Sequence, residues 1–258
     1  MRKYVILLAV AFFSFQARAD LFPRPLRLSR SIDDPLAKKA IAIEQYCSGN
    51  TIVTVSGARV VLADFAKQTL MEIDREAMTY SITPFEKIAA AQMRSPRRPP
   101  RGGAMPFDAR WRRERLVSRT SADGRRLEVA AFVRETGGEA QRHEIAVDRQ
   151  IALSRAALEA LIGAAHPNSA TDEHDVIMHA ARSDGANDAA ALPVEQTSTY
   201  TIEGTSITVR NVVTSVRFEE PPQDLLLVPP GARLVESHLI RTARELEELD
   251  RIPTIPPR

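Results

Sequence analysis

Cysteine is almost absent from the 258 residues, and Cys47 stands alone. No internal disulfide can therefore hold the fold, and a single cysteine fits the role of a small buried hydrophobe. Aromatic residues make up only 5%, with Trp111 the one tryptophan. The signatures of hydrolytic chemistry are also missing: the chain has no G-x-S-x-G, S-x-x-K or H-E-x-x-H. An apolar run of the ~20 residues that cross a bilayer is lacking as well. No sign of charge dominates, since 35 basic residues face 33 acidic ones. An enzyme, a membrane-spanning protein and a disulfide-stapled scaffold are thus all unannounced, and no cofactor motif is present.

What is present begins with MRKYVILLAVAFFSFQARAD. Arg2 and Lys3 precede the apolar stretch Val5 to Phe15, and Ala17-Arg18-Ala19 is an A-x-A site. That is the layout of a secretory signal peptide over residues 1–19, with cleavage before Asp20. No cysteine follows the site, so a lipid anchor is not expected and the product should be periplasmic or secreted. Cleavage removes Arg2, Lys3 and Arg18 and no acid, so 32 basic residues then face 33 acidic ones. The formal +2 becomes about −1, and the basic pI gives no reason to expect nucleic-acid binding.

Residues 20–40 are rich in Pro and Arg and read as a mobile or surface-lying lead-in. From Ile41 the pattern turns to strands: IAIEQYC, TIVTVSG, RVVLADF. In LMEIDREAMTYSI, Met71 and Ile73 share a strand face, Asp74 suits the start of a type I turn, and Met78, Tyr80 and Ile82 resume the alternation. FEKIAAAQM suggests a short helical turn. Arg94 to Pro106, with four Pro, two Gly and four Arg, reads as a long exposed loop that can bury little. Gly137-Gly138 marks a second hairpin, with Leu127, Val129, Ala131 and Val133 on one face of its first strand and Ile145 and Val147 on its second. HEIAVDRQIALSRAALEALIGAA starts as a strand and ends as a helix: Ser154 is the expected N-cap and Leu158, Leu161 and Ile162 form the apolar stripe. Such a helix needs the face of the preceding strand as its partner. DGANDAAALPVE reads as a loop. In TYTIEGTSITVRN a two-residue type II′ turn at Gly204-Thr205 would set Ile202 opposite Ile207. LLLVPPGARLV closes the sheet, and Leu239, Ala243, Leu246 and Leu249 predict a C-terminal amphipathic helix within 236–258.

The segments LMEIDREAMTYSI, HEIAVDRQIALSRAALEALI and TYTIEGTSITVRNVVTSVRFEEPPQDLLLVPPG together resemble exported bacterial proteins near the LolA/LolB-like lipoprotein-carrier fold. The resemblance implies an α+β domain over 41–235. Its curved antiparallel sheet would form an unclosed half-barrel, with helices packed in the concave side. It also implies an apolar or amphipathic, lipid-like or lipoprotein ligand between sheet and helices; the strand-face residues Met71 and Ile73 and the stripe Leu158, Leu161 and Ile162 are the candidate lining. It supplies no ligand-binding residue set position by position.

Two further clusters bear on function. DEHDVIMH offers Asp172, Glu173, His174, Asp175 and His179, but histidines five apart point to different sides of a helix, and a polar segment before a loop is the plainer reading; no metal is expected. Between Arg94 and Arg119 nine arginines surround Trp111. An exported protein rarely meets nucleic acid; a solvated loop is the plainer reading of Arg97, Arg98 and Arg101, and the other is contact with anionic lipid head groups or surface glycans. The expected function is non-enzymatic ligand binding. The alternatives are an envelope interaction protein, working through the Arg-rich loop or the C-terminal helix, and a hydrolase.

Overall fold

A computed structural model describes residues 20–33, 35, 40–94, 107–121, 124–136, 139–165, 171–182 and 189–250. The expected leader, Arg97, Arg98 and Arg101, and the turn residues Gly137 and Gly138 lie outside the described residues.

In chain order the first strands are β1 (Phe22–Asp33), β2 (Ile41–Gly49), β3 (Thr51–Ser56), β4 (Arg59–Asp64), β5 (Thr69–Asp74) and β6 (Thr79–Pro84). After helices α1 (Phe85–Arg94) and α2 (Phe107–Arg110) come β7 (Arg112–Thr120), β8 (Arg126–Thr136) and β9 (Glu139–Ser154). Helices α3 (Arg155–Ala165) and α4 (Thr171–Ala181) precede β10 (Ala189–Ile202), β11 (Thr205–Arg217), the two-residue β12 (Arg233–Leu234) and helix α5 (His238–Asp250). All strands join one sheet in the order β12-β6-β5-β4-β3-β2-β1-β11-β10-β9-β8-β7. Every neighbouring pair is antiparallel except β12 with β6. Its end strands β12 and β7 do not pair, so the sheet is large and open.

Two meanders, β2 to β6 and β7 to β11, meet on either side of β1. The segment expected to lie on the surface is therefore the central seam, with Phe22, Leu26 and Leu28 buried. Pro23 and Pro25 and the arginines around them hide an ordinary period-2 apolar set. Two further expectations are corrected. Ala189 to Glu195, read as part of a loop, begins β10. The segment around His174 is helix α4, which buries Val176, Ile177 and Met178.

Turn chemistry sets the registers of the first meander. Asp64 Oδ1 accepts the Lys67 N–H at 2.9 Å, and Asp74 Oδ1 accepts the Ala77 N–H at 2.8 Å. Each turn ends on a residue of positive φ, Gln68 or Met78. The second turn places Met71 opposite Ile82 and Ile73 opposite Tyr80, as the alternation predicts. The last hairpin turns on Glu203-Gly204, both of positive φ, which pairs Tyr200 with Ile207 and Ile202 with Thr205. This is the I′ pattern, displaced from the expected Gly204-Thr205 turn, because Gly supplies the second αL position.

Cross-strand pairing sorts side chains onto two faces. Ile52, Ala63 and Leu70 share the face covered by α3, α1 and α5, where Leu239 packs against Ala63, Leu70 and Ile88. Tyr46, Val53, Val60 and Ile73 lie on the other face, beneath Leu225 of the turn Gln223–Leu226. β8 is buried on both faces: Ala130 and Phe132 pack with α4, while Leu127 and Val129 cluster with Ala146.

Candidate functional site

β9 runs without a break into α3, and the Ser154 hydroxyl accepts the Ala157 N–H at 3.1 Å as the N-cap. Leu158, Leu161 and Ile162 are all buried. Leu161 joins Leu28, Cys47 and Ile52; Leu158 and Ile162 join Phe132, Ile145 and Ile177 of α4. Met71 and Ile73, expected beside them, instead belong to the cluster on the opposite sheet face. A strand has two faces, and alternation within one strand does not say which of them the helix covers.

The face under α3 and α4 is not plainly apolar. A row of buried polar side chains crosses five adjacent strands: Gln45 on β2, Arg30 on β1, Asn211 on β11, Gln196 and Ser198 on β10, and His143 on β9. Asn211 stands opposite Gln196 and Ser198 opposite His143, while Arg30 and Gln45 are diagonal neighbours. Burying this much polarity is unfavourable unless each group finds a partner. Arg30 Nε donates to Gln45 Oε1 at 2.8 Å, and Gln45 Nε2 donates to Thr54 Oγ1 at 3.4 Å. His143 Nδ1 lies 2.8 Å from Ser198 Oγ, the Ser198 hydroxyl donates to Glu173 of α4 at 3.3 Å, and Gln196 Nε2 donates to that same carboxylate.

Serine, histidine and a carboxylate within reach invite a comparison with a nucleophilic triad. In such a triad the acid orients the histidine and the histidine takes the serine proton. Here the carboxylate accepts from the serine hydroxyl itself. Ser198 is also only 2% exposed. The arrangement is a polar strut tying α4 to the sheet. Trp111 and Tyr200 flank His143 edge-on, at centroid distances of 5.1 and 5.8 Å. Burial, and then the charge of Glu173, pushes Tyr200 up to about 12. Trp111, expected among exposed arginines, is buried with Arg134 over its ring, so it offers no stacking platform.

Arg30, Pro193, Val194, Glu195, Gln196 and Asn211 of the sheet line a cavity of about 20 Å³, closed by Leu161, Ile162 and Ile177 of the helices. That is room for about one water. Burial lowers Arg30 to about 10 and raises the neighbouring Cys47 to about 12. At neutral pH the first is a buried cation and the second a neutral thiol. The polar members of the row interrupt the apolar parity of their strands, as Arg30 does after Leu26 and Leu28, or Asn211 between Val209 and Val213. That signal is present in the sequence, but only strand pairing joins the six positions.

The remaining candidates separate. His179 stacks on Phe107 at 4.2 Å, burial draws half-buried His174 below its usual range, and Asp175 accepts from Arg110 at 2.8 Å. Among the described residues no three of His, Cys, Asp or Glu converge as metal ligands, and no described helix is long and apolar enough to cross a membrane.

No family model matches the chain, and no curated protein matches it. Among solved structures, one of PNGF-II is similar over 88% of this chain at 7% identity and a TM-score of 0.37. The match spans 33% of that protein, about a third of its length. A structure described as an outer membrane lipoprotein-sorting protein domain, from Vibrio parahaemolyticus, is similar over 88% of this chain and 93% of its own, at 8% identity and a TM-score of 0.28. At such scores the fold rests on the chain's own strand order and registers.

Proposed function

We propose that this is an exported, non-enzymatic binding protein that takes an amphipathic, lipid-like ligand between its sheet, acting as a half-barrel, and helices α3 and α4. The observation that carries the reading is the junction of two chemistries at that layer: the apolar faces of α3 and α4 lie directly on a row of buried polar groups that includes a cation. An amphipathic molecule matches both, with its polar end on the row and its apolar part against Leu161, Ile162 and Ile177. The cavity of about 20 Å³ is far below the ~300 Å³ at which ligand pockets begin, so uptake requires the two helices to lift from the sheet. The hydrolase reading is weaker, because Ser198 is buried and its hydroxyl is held by Glu173.

Native mass spectrometry of protein purified from its own cell envelope tests the proposal. The expected result is a population heavier than the bare chain by one small amphiphile, lost after denaturation and regained when the refolded chain is offered amphiphiles. Bare chain throughout, with no uptake on refolding, would overturn it.

A further inference from the structure

Arg30 is 8% exposed, and its Nε donates to Gln45 Oε1. A buried cation is ordinarily matched by a carboxylate, since an unmatched charge in a poorly hydrated site is strongly unfavourable. Among the described residues no carboxylate pairs with Arg30. Glu195, on the cavity wall, forms ion pairs with Arg119 and Arg210 instead. Glu173 accepts from Gln196 and Ser198. Burial keeps the neighbouring Cys47 thiol neutral, so it supplies no countercharge.

The backbone around the cavity is shaped for this placement. The β1–β11 register slips between Ser29 and Arg30, leaving Thr214 as an extra residue, and the β10–β9 register slips between Pro193 and Glu195, leaving Val194 extra. Two bulges therefore flank one cavity, and bulges next to sites re-aim side chains. Gln45, itself held by Thr54, fixes the guanidinium through Nε and leaves the two terminal nitrogens to a further acceptor.

We propose that Arg30 and the cavity it lines bind a carboxylate, either a free small one or the head group of a fatty acid. The geometry favours a planar two-oxygen acceptor, because a guanidinium presents paired donors. Room for about one water admits the charged end alone, so the chain of a fatty acid has to part Leu161 and Ile162 from β10. The fatty-acid form rests on the function proposed above; the anion site itself does not.

Calorimetric titration of the full mature chain with acetate, decanoate and 1-decanol, in buffer free of other carboxylates, separates the cases. Decanoate is expected to bind at least about tenfold more tightly than decanol, the difference that one charge-assisted contact supplies. Arg30→Gln should abolish that preference, bringing decanoate down to the affinity of decanol for the same variant. Arg30→Met, of similar length, serves if the glutamine variant fails to fold, and the acid-against-alcohol comparison on wild type needs neither. Equal binding of acid and alcohol by wild type would overturn the Arg30 site and leave the amphipathic reading standing. Arg30-dependent binding of acetate, with no gain for decanoate, would support the carboxylate site and overturn the fatty-acid ligand. Binding of neither anion would overturn the site.

Discussion

His143 on β9 and Ser198 on β10 stand directly opposite each other and share a 2.8 Å hydrogen bond where Glu173 of α4 meets the sheet. Both are essentially closed to solvent, at 1% and 2% exposure. The contact joins two adjacent strands to a helix of the connection between them, so it fixes where α4 sits.

Ser198→Ala removes the hydroxyl that links imidazole and carboxylate and leaves the buried His143 and the half-buried Glu173 each one partner short. Loss of such a bridging partner costs about 1–3 kcal/mol. Urea denaturation should show a drop of that size in unfolding free energy with the slope preserved. A loss below about 0.5 kcal/mol, the level of an ordinary surface substitution, would mean the strut is not structural.

The helix after β9 makes a parallel case for packing. Leu161 is buried among side chains of β1, β2 and β3. Leu161→Ala should destabilise by about 2–5 kcal/mol, the usual range for truncating a buried leucine. An unchanged thermal midpoint would mean that α3 does not close the sheet.

Local chemistry was legible and long-range pairing was not. The Ser154 cap, the Leu158-Leu161-Ile162 stripe and the Asp74 turn are each written within a few residues, where helix and hairpin geometry acts. The face on which Met71 and Ile73 lie depends on which side α3 chooses, and that choice is made about eighty residues later in the chain. β1 was hidden because Pro23, Arg24, Pro25 and Arg27 dominate its composition, while burial of Phe22, Leu26 and Leu28 follows from strands it meets at either edge. The polar row was hidden for the same reason: one or two exceptions per strand are unremarked until five strands are placed side by side.

Cleavage before Asp20 leaves β1 whole, since that strand begins at Phe22. Asp20 and Leu21 also have partners: the Leu21 N–H donates to Asn50 Oδ1 at 3.1 Å, and Asn50 Nδ2 donates to Asp20 Oδ1 at 3.1 Å. N-terminal sequencing of the exported protein should begin at Asp20. Recovery of the uncleaved chain from the membrane fraction would overturn the proposed export.

Alkaline pH offers a test of the buried thiol. Burial first, opposed by the charge of Arg30, holds Cys47 at about 12 against an ordinary 9.0. Above pH 9 the unfolded chain releases this proton while the folded chain retains it. Stability therefore falls as pH rises, by at most about 1.4 kcal/mol per pH unit from a single group. Two other groups enter higher up. Tyr200, raised from 10.0 to about 12, adds to the loss above pH 10. Arg30, lowered from 12.5 to about 10, opposes it, since there the unfolded chain holds the proton that the folded chain has lost. Between pH 9 and 10 Cys47 acts with little interference from either. Urea midpoints collected across that unit should decline for wild type and stay level for Cys47→Ser, each compared with its own value at pH 8. An identical decline in both proteins would show that the thiol is not shielded from ionisation. A thiol reagent should agree with the midpoints: at pH 8 Cys47 should react only as fast as the protein unfolds, and immediate labelling of the native chain would place it at an accessible site.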